Sequence, residues 1–245
     1  MDKRDTQPLK ITKNGKLYDT KHKRRERIEE VFSHARDTMT SPSAYHLITH
    51  IEDVDLFEPI KRKGFIREFE RALKRQYKIL AKKEPKEPKE PKKGKGKAKR
   101  IQKCPKVFIV YSIEYKLTSQ KEIDGDKDAY KYGYEKTKEK LPFLHIHWHV
   151  IADCNNTRTA NFPHHAMNAM NGLDGLRATR YAKTQPKKIM NENGDYEYEK
   201  PQKYKKLKTD YDDAVLRAFY LAKIEQKPPK DIIKGVLFNA SKINK

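Results

Sequence analysis

The sequence predicts an α+β fold built around an antiparallel sheet. Two β-prone runs, Lys106–Lys116 and Phe143–Ala152, are rich in branched and aromatic residues. Amphipathic helical segments fall between these and shorter strand-like runs, as in a layered α+β domain. With 245 residues the chain fits one or two domains.

Composition narrows the class further. Lys and Arg number 56 against 34 Asp and Glu, a formal net charge of +22, and 36% of residues are hydrophobic. Such a surplus points to a polyanionic partner, most often nucleic acid. No apolar run approaches the roughly 18 residues of a membrane span. The first thirty residues lack the apolar core of a secretory signal. Two cysteines, Cys104 and Cys154, make no disulfide scaffold, so the expected setting is a cytoplasm without membrane association.

Along the chain, residues 1–40 read as a basic arm and a short helix near Ile28–His34. The arm ends in the cluster Lys21-His22-Lys23-Arg24-Arg25-Glu26-Arg27, so Lys21, Lys23, Arg24 and Arg25 are candidate nucleic-acid contacts. Tyr45–Ile51 reads as a strand. Residues 60–82 read as a helix, because Ile66, Phe69, Leu73, Tyr77 and Leu80 recur at spacings of three and four. A Lys-Glu-Pro repeat then runs into a Lys/Gly tract. Proline every third residue forbids a helix, so 83–105 reads as an insertion. Its repeat tract, 83–100, carries a net +6, and taking this from +22 leaves +16 on the remainder.

After the run at Lys106–Lys116 comes a polar loop with Asp124-Gly125-Asp126, then the run at Phe143–Ala152. Asn161–Met170 reads as a short helix and Leu176–Lys183 as a strand, placing Arg177 and Arg180 among the candidate nucleic-acid contacts. Residues 186–206 contain Asn193-Gly194, a hairpin signal. A last helix spans about 211–227 and stops at Pro228-Pro229. Residues 41–230 thus form the expected domain, and 231–245 a tail.

Chemistry concentrates in Leu144-His145-Ile146-His147-Trp148-His149-Val150. Strand side chains alternate between faces, so His145, His147 and His149 share one face and the apolar residues the other. Two of the three imidazoles suit one metal ion, with a further ligand from elsewhere. Glu114, alone among acids inside the neighbouring run, is the candidate carboxylate. Two imidazoles with a carboxylate fit Mg²⁺ or Mn²⁺; a zinc site with Cys154 is the weaker alternative, since no second cysteine lies near it. In the last helix Tyr220 and Lys223 lie three apart on one face. A tyrosine hydroxyl, with an ordinary pKa of about 10, is a poor nucleophile. It gains from a metal-polarised phosphodiester and a nearby ammonium. The plain alternative makes Tyr220 a core residue one turn from Leu216.

Together, His147-Trp148-His149 followed by Val150-Ile151, and Tyr220-Leu221-Ala222-Lys223, resemble the motifs of the HUH endonuclease superfamily. His145-Ile146-His147 offers an overlapping register; the apolar residues directly after His149 favour His147 and His149. The order, histidines before a single tyrosine, is similar to single-tyrosine rolling-circle replication initiators of plasmids and phages. The resemblance covers roughly 106–227. It implies an RRM-like or ferredoxin-like antiparallel sheet, with helices on one face and the metal site on the other. It also implies a nickase that cuts and rejoins single-stranded origin DNA through a 5′-phosphotyrosine. No Walker A sequence is present, so unwinding is expected from a host helicase. Two alternatives stay open: a transposase or mobilisation nuclease with the same chemistry, and a non-catalytic binder stacking bases on Tyr111, Tyr115 and Trp148.

Overall fold

The computed structural model describes residues 9–13, 16–57, 59–82, 103–119, 140–156, 159–181, 188–190, 196–198, 204–224, 226–230, 232–233 and 236–243. The insertion tract at 83–100, the Asp124-Gly125-Asp126 loop and the Asn193-Gly194 turn lie outside these residues.

β1 (Leu9–Lys13) and β2 (Lys16–Thr20) form an antiparallel hairpin, and α1 runs from His22 to Thr38. β3 (Pro42–Ile51), α2 (Pro59–Lys82), β4 (Val107–Thr118), β5 (Leu141–Asp153), α3 (Phe162–Met170) and β6 (Leu176–Tyr181) follow. β7 (Lys188–Met190) and β8 (Tyr196–Tyr198) pair antiparallel, matching the expected hairpin. β9 (Lys205–Lys206), α4 (Tyr211–Ala218) and β10 (Phe238–Ala240) complete the chain.

The six-stranded sheet runs β10-β4-β5-β3-β6, with β9 sharing the outer edge of β3, and every neighbouring pair is antiparallel. Each of the two strand–helix–strand units, β3-α2-β4 and β5-α3-β6, leaves a gap that the other fills. After α2 the chain enters β4 one strand away from β3, and β5 fills the gap between them.

The face carrying Tyr45, Leu47, Ile109, Tyr111, Ile113, Ile146, Trp148 and Val150 packs on α2 and α3 through Phe65, Phe69, Leu73, Tyr77, Phe162 and Ala166. Trp148 is fully buried there, its indole N–H donating to Thr49 Oγ1 at 2.9 Å. The α2 stripe forms as its spacing predicts, with Phe65 added a turn before Phe69; Ile66 and Leu80 lie at its half-buried margin.

The opposite face differs from expectation. It is polar at one end (Glu114, Ser112, His145, His147) and apolar at the other (Phe108, Val110, Ile151). An apolar sheet end must be covered. α1, with Ile28, Val31, Phe32 and Ala35 at i, i+3, i+4 and i+7, supplies the cover with Ala214, Val215 and Ala218 of α4. Helices therefore lie on both faces, and the expectation of helices on one face alone does not hold. The N-terminal helix is correspondingly longer than Ile28–His34, and the basic cluster falls in its opening turns. The expected tail contributes β10, whose Phe238 opposes Ser112 of β4. The last helix ends early: one 3-10 turn, Phe219–Ala222, follows α4, and Lys223 is already extended.

Gly175 closes the turn into β6 with φ +73°, and its carbonyl accepts the Glu52 N–H at 2.9 Å. A Cβ there would stand 2.6 Å from the Asp53 carbonyl oxygen, whereas one at Gly172 would meet nothing nearer than 3.4 Å. Chemical denaturation should therefore show Gly175→Ala destabilised by about 1–3 kcal/mol, with Gly172→Ala affected less. Equal effects would contradict this turn geometry.

Candidate metal centre and nucleophile

The register of β4 against β5 builds the site. Glu114 opposes His145, Ser112 opposes His147, and Val110 opposes His149. Directly opposed residues bring their side chains together on one face. Glu114 therefore meets the first two histidines. His147 Nε2 lies 3.4 Å from Glu114 Oε2, and His145 Nε2 lies 3.9 Å from it. Glu114, His145 and His147 offer ligand atoms all within 4.8 Å of one another, and all three are buried.

The imidazoles are also oriented for ligation. His145 Nδ1 lies 3.1 Å from the Phe143 carbonyl oxygen, which can only accept, so Nδ1 carries a proton and the neutral imidazole keeps its lone pair on Nε2. His147 Nδ1 lies 2.7 Å from Nε2 of His46 on β3. Ligation through His147 Nε2 would leave its proton on Nδ1, donated to His46. Metal-ligating histidines characteristically donate their second N–H in this way. The donor set thus fits a divalent cation.

His149, expected beside His147, sits one pleat further along. It stacks on His46, ring centroids 4.7 Å apart and planes 15° apart, and approaches Phe32 at 6.1 Å. It lies outside the Glu114–His145–His147 group. The histidine pair the structure assembles is the overlapping one, because Glu114 opposes His145 and not His149. Sequence analysis missed His46; its signal was a histidine in a strand that had to lie beside the histidine strand.

Tyr220 stands at this group. Its ring lies 5.4 Å from that of His147, nearly perpendicular at 78°. The 3-10 turn explains its relation to Lys223, since residues three apart eclipse in that geometry. Lys223, with no exposed surface, donates to the Tyr220 hydroxyl, pairs with Glu114 Oε2, and donates to Gln226 Oε1 at 2.5 Å. Leu216, whose presence one turn earlier supported a core role for Tyr220, is 56% exposed. The Tyr220 segment is held by the N-terminal hairpin: Thr20 bridges to Lys223, and the Lys21 N–H donates to the Ala222 carbonyl at 3.0 Å.

A second lysine comes from the chain just beyond. Gln226 turns with φ 60°, its carbonyl accepting the Tyr115 N–H at 2.7 Å, and this directs Lys227 back to the sheet. Lys227 Nζ donates to Ser112 Oγ at 2.5 Å and lies 3.7 Å from Glu114 Oε1. Burial pushes its ammonium down to about 8, with Glu114 opposing that shift.

The expected nucleic-acid contacts are dispersed. Lys21 and Lys23 are exposed at the start of α1. The Arg24 guanidinium lies 5.4 Å over the Phe238 ring, and that of Arg25 lies 4.2 Å over Phe219. Arg177 pairs with Glu52 at the surface. Arg180 opposes Ile48 in β6, and its side chain lies outside the described residues. Of the proposed stacking aromatics, Tyr111 and Trp148 are fully buried beneath α2 and unavailable to bases. Among the described residues, no helix is long and apolar enough to cross a membrane. No protein-family model, curated protein or solved structure matches this chain.

Calorimetric titration with Mn²⁺ checks the ligand assignment. His145→Ala and His147→Ala should abolish measurable binding, His46→Ala should weaken it roughly 10–100-fold, and His149→Ala should leave it within a few-fold. Loss on His149→Ala with retention on His145→Ala would reverse the assignment.

Proposed function

We propose that the protein is an HUH-type rolling-circle replication initiator that nicks and rejoins single-stranded origin DNA. The observation carrying this reading is the Tyr220 phenol beside the Glu114–His145–His147 group, joined to Glu114 through Lys223. The interlocked β-α-β-β-α-β order supports an RRM-like or ferredoxin-like core, as the resemblance implies.

Glu114, His145 and His147 would hold Mg²⁺ or Mn²⁺. Such an ion supplies Lewis-acid polarisation of the scissile phosphodiester and neutralises charge in the transition state. Tyr220 Oη attacks phosphorus, an Oη–P bond forms, and the P–O3′ bond breaks. The phenol proton is lost and the departing 3′ oxygen gains one, so the strand ends in a 3′ hydroxyl and a 5′-phosphotyrosine. Neither water nor energy is consumed, and reversal rejoins the ends. Lys223 holds the phenol in place and offers its ammonium to the phosphoryl oxygens.

The exposed Lys21 and Lys23, with Arg24, Arg25, Arg177 and Arg180, are proposed contacts for flanking DNA, and a host helicase would open the duplex. The same chemistry serves a transposase or mobilisation nuclease, and the DNA partner decides between them. A passive stacking binder is disfavoured, because its platform of Tyr111 and Trp148 is covered.

Incubation of the full chain with labelled single-stranded oligonucleotides from the cognate replicon and Mn²⁺ should yield a denaturation-resistant protein–DNA adduct. Tyr220→Phe and EDTA should each eliminate it, and Lys223→Met should slow its formation at least about tenfold, the scale of losing one preorganised charge contact. An adduct that persists in Tyr220→Phe would reassign the nucleophile; no adduct with any divalent metal would refute the nuclease reading.

A further inference from the structure

Lys227 has no part in the chemistry above, and Arg24 enters it only as one member of a basic cluster. Both converge on one spot. Ser112 receives the Lys227 ammonium at 2.5 Å, and its cross-strand partner on β10 is Phe238. Arg24 crosses that same Phe238 ring at 5.4 Å. Arg24, arriving from α1, and Lys227, from the segment after Lys223, lie close enough for the guanidinium's charge to bear on the ammonium. Ser112 in turn opposes the metal-group histidine His147.

Among the described residues the charges at this spot do not balance. Glu114 is the buried carboxylate, and it already pairs with Lys223 and neighbours Lys227. Arg24 senses the same carboxylate, yet burial draws its guanidinium below its ordinary value. Arg24 Nη1 is buried with no hydrogen-bond partner among the described residues. A buried guanidinium N–H without an acceptor is costly, and arginine's fork matches phosphate oxygens. Three cations on one carboxylate leave a surplus that an anion would satisfy.

We propose that Arg24 and Lys227 form a second phosphate subsite, binding a backbone phosphodiester of the single strand next to the one that Tyr220 would attack. The subsite rests on the nuclease reading for its substrate class. Its function is to fix the strand's register against the Tyr220 hydroxyl, so that the adjacent phosphate lies at the metal group. It also explains why the basic cluster is built into a packed helix: only a fixed α1 holds Arg24 over β10.

The test is binding, with chemistry removed. In full-length protein carrying Tyr220→Phe, and in EDTA, anisotropy of a labelled oligothymidylate is followed against salt. Losing one phosphate contact lowers the slope of log affinity against log salt by about 0.7 on single strands. Arg24→Gln and Lys227→Gln should each lower it by about that amount, and the double variant by less than the sum, since both cations serve one phosphate. Arg24→Lys should restore most of the slope, which a purely structural guanidinium over Phe238 would not allow. Lys78→Gln, exposed on the outer side of α2, should change nothing. Unchanged slopes in Arg24→Gln and Lys227→Gln, or an equal loss in Lys78→Gln, would overturn the subsite. If Lys227→Gln does not fold, Arg24→Gln and Arg24→Lys decide alone. Because no cleavage is read, a failure here is separate from a failure to form the Tyr220 adduct.

Discussion

Glu114 has no exposed surface, and its carboxylate organises the polar end of the sheet. An ionised carboxylate removed from water is tolerated only with close, well-placed partners. Two imidazoles reach it from the central strand, and two ammonium groups reach it from the chain after α4. Satisfying that charge dictates much of the surrounding structure. The helix bearing Tyr220 tightens to 3-10 and stops, Lys223 turns inward, and Gln226 adopts a left-handed backbone so that Lys227 can follow. The N-terminal hairpin then locks this segment through the Thr20–Lys223 bridge. A divalent cation held by Glu114, His145 and His147 would share that carboxylate with the Lys223 and Lys227 ammonium groups.

The two-sided helical cover gives this polar cluster its setting. On the α2 and α3 side, Trp148 and its neighbours form a continuous apolar layer that fixes the pleat of β5. On the other side, α1 and α4 cover Phe108, Val110 and Ile151, while Glu114 and His145 are buried in the polar group. The boundary between apolar and polar halves falls near His149. That residue is packed against His46 and Phe32, while the histidines beyond it meet the carboxylate. One strand thus serves as core at one end and as a ligand-bearing wall at the other.

Much of this was legible in local periodicity. The alternation in Leu144–Val150 placed three imidazoles on one face, the stripe from Phe69 to Tyr77 marked the buried side of α2, and Glu114 stood out as the acid within its strand. What alternation cannot supply is register between strands. Whether Glu114 opposes His145 or His149 depends on the β4–β5 pairing, so the favoured His147/His149 pair gave way to His145/His147. Lys227 is hidden in the sequence because the helical pattern continues to Pro228; the true end, four residues after α4, frees that lysine to turn inward. β10 is only three residues long and pairs with the distant β4, and His46 depends on the same kind of long-range contact.

The central claim is that one divalent ion and the Tyr220 phenol share a pocket. Fluorotyrosine labelling with ¹⁹F NMR tests it directly, because Mn²⁺ broadens nearby nuclei steeply with distance. The resonance that disappears in Tyr220→Phe should broaden away at substoichiometric Mn²⁺, ahead of the other thirteen of the 14 tyrosines, and should stay sharp in a His145→Ala, His147→Ala double variant. A Tyr220 resonance that remains sharp while Mn²⁺ is bound would contradict the account.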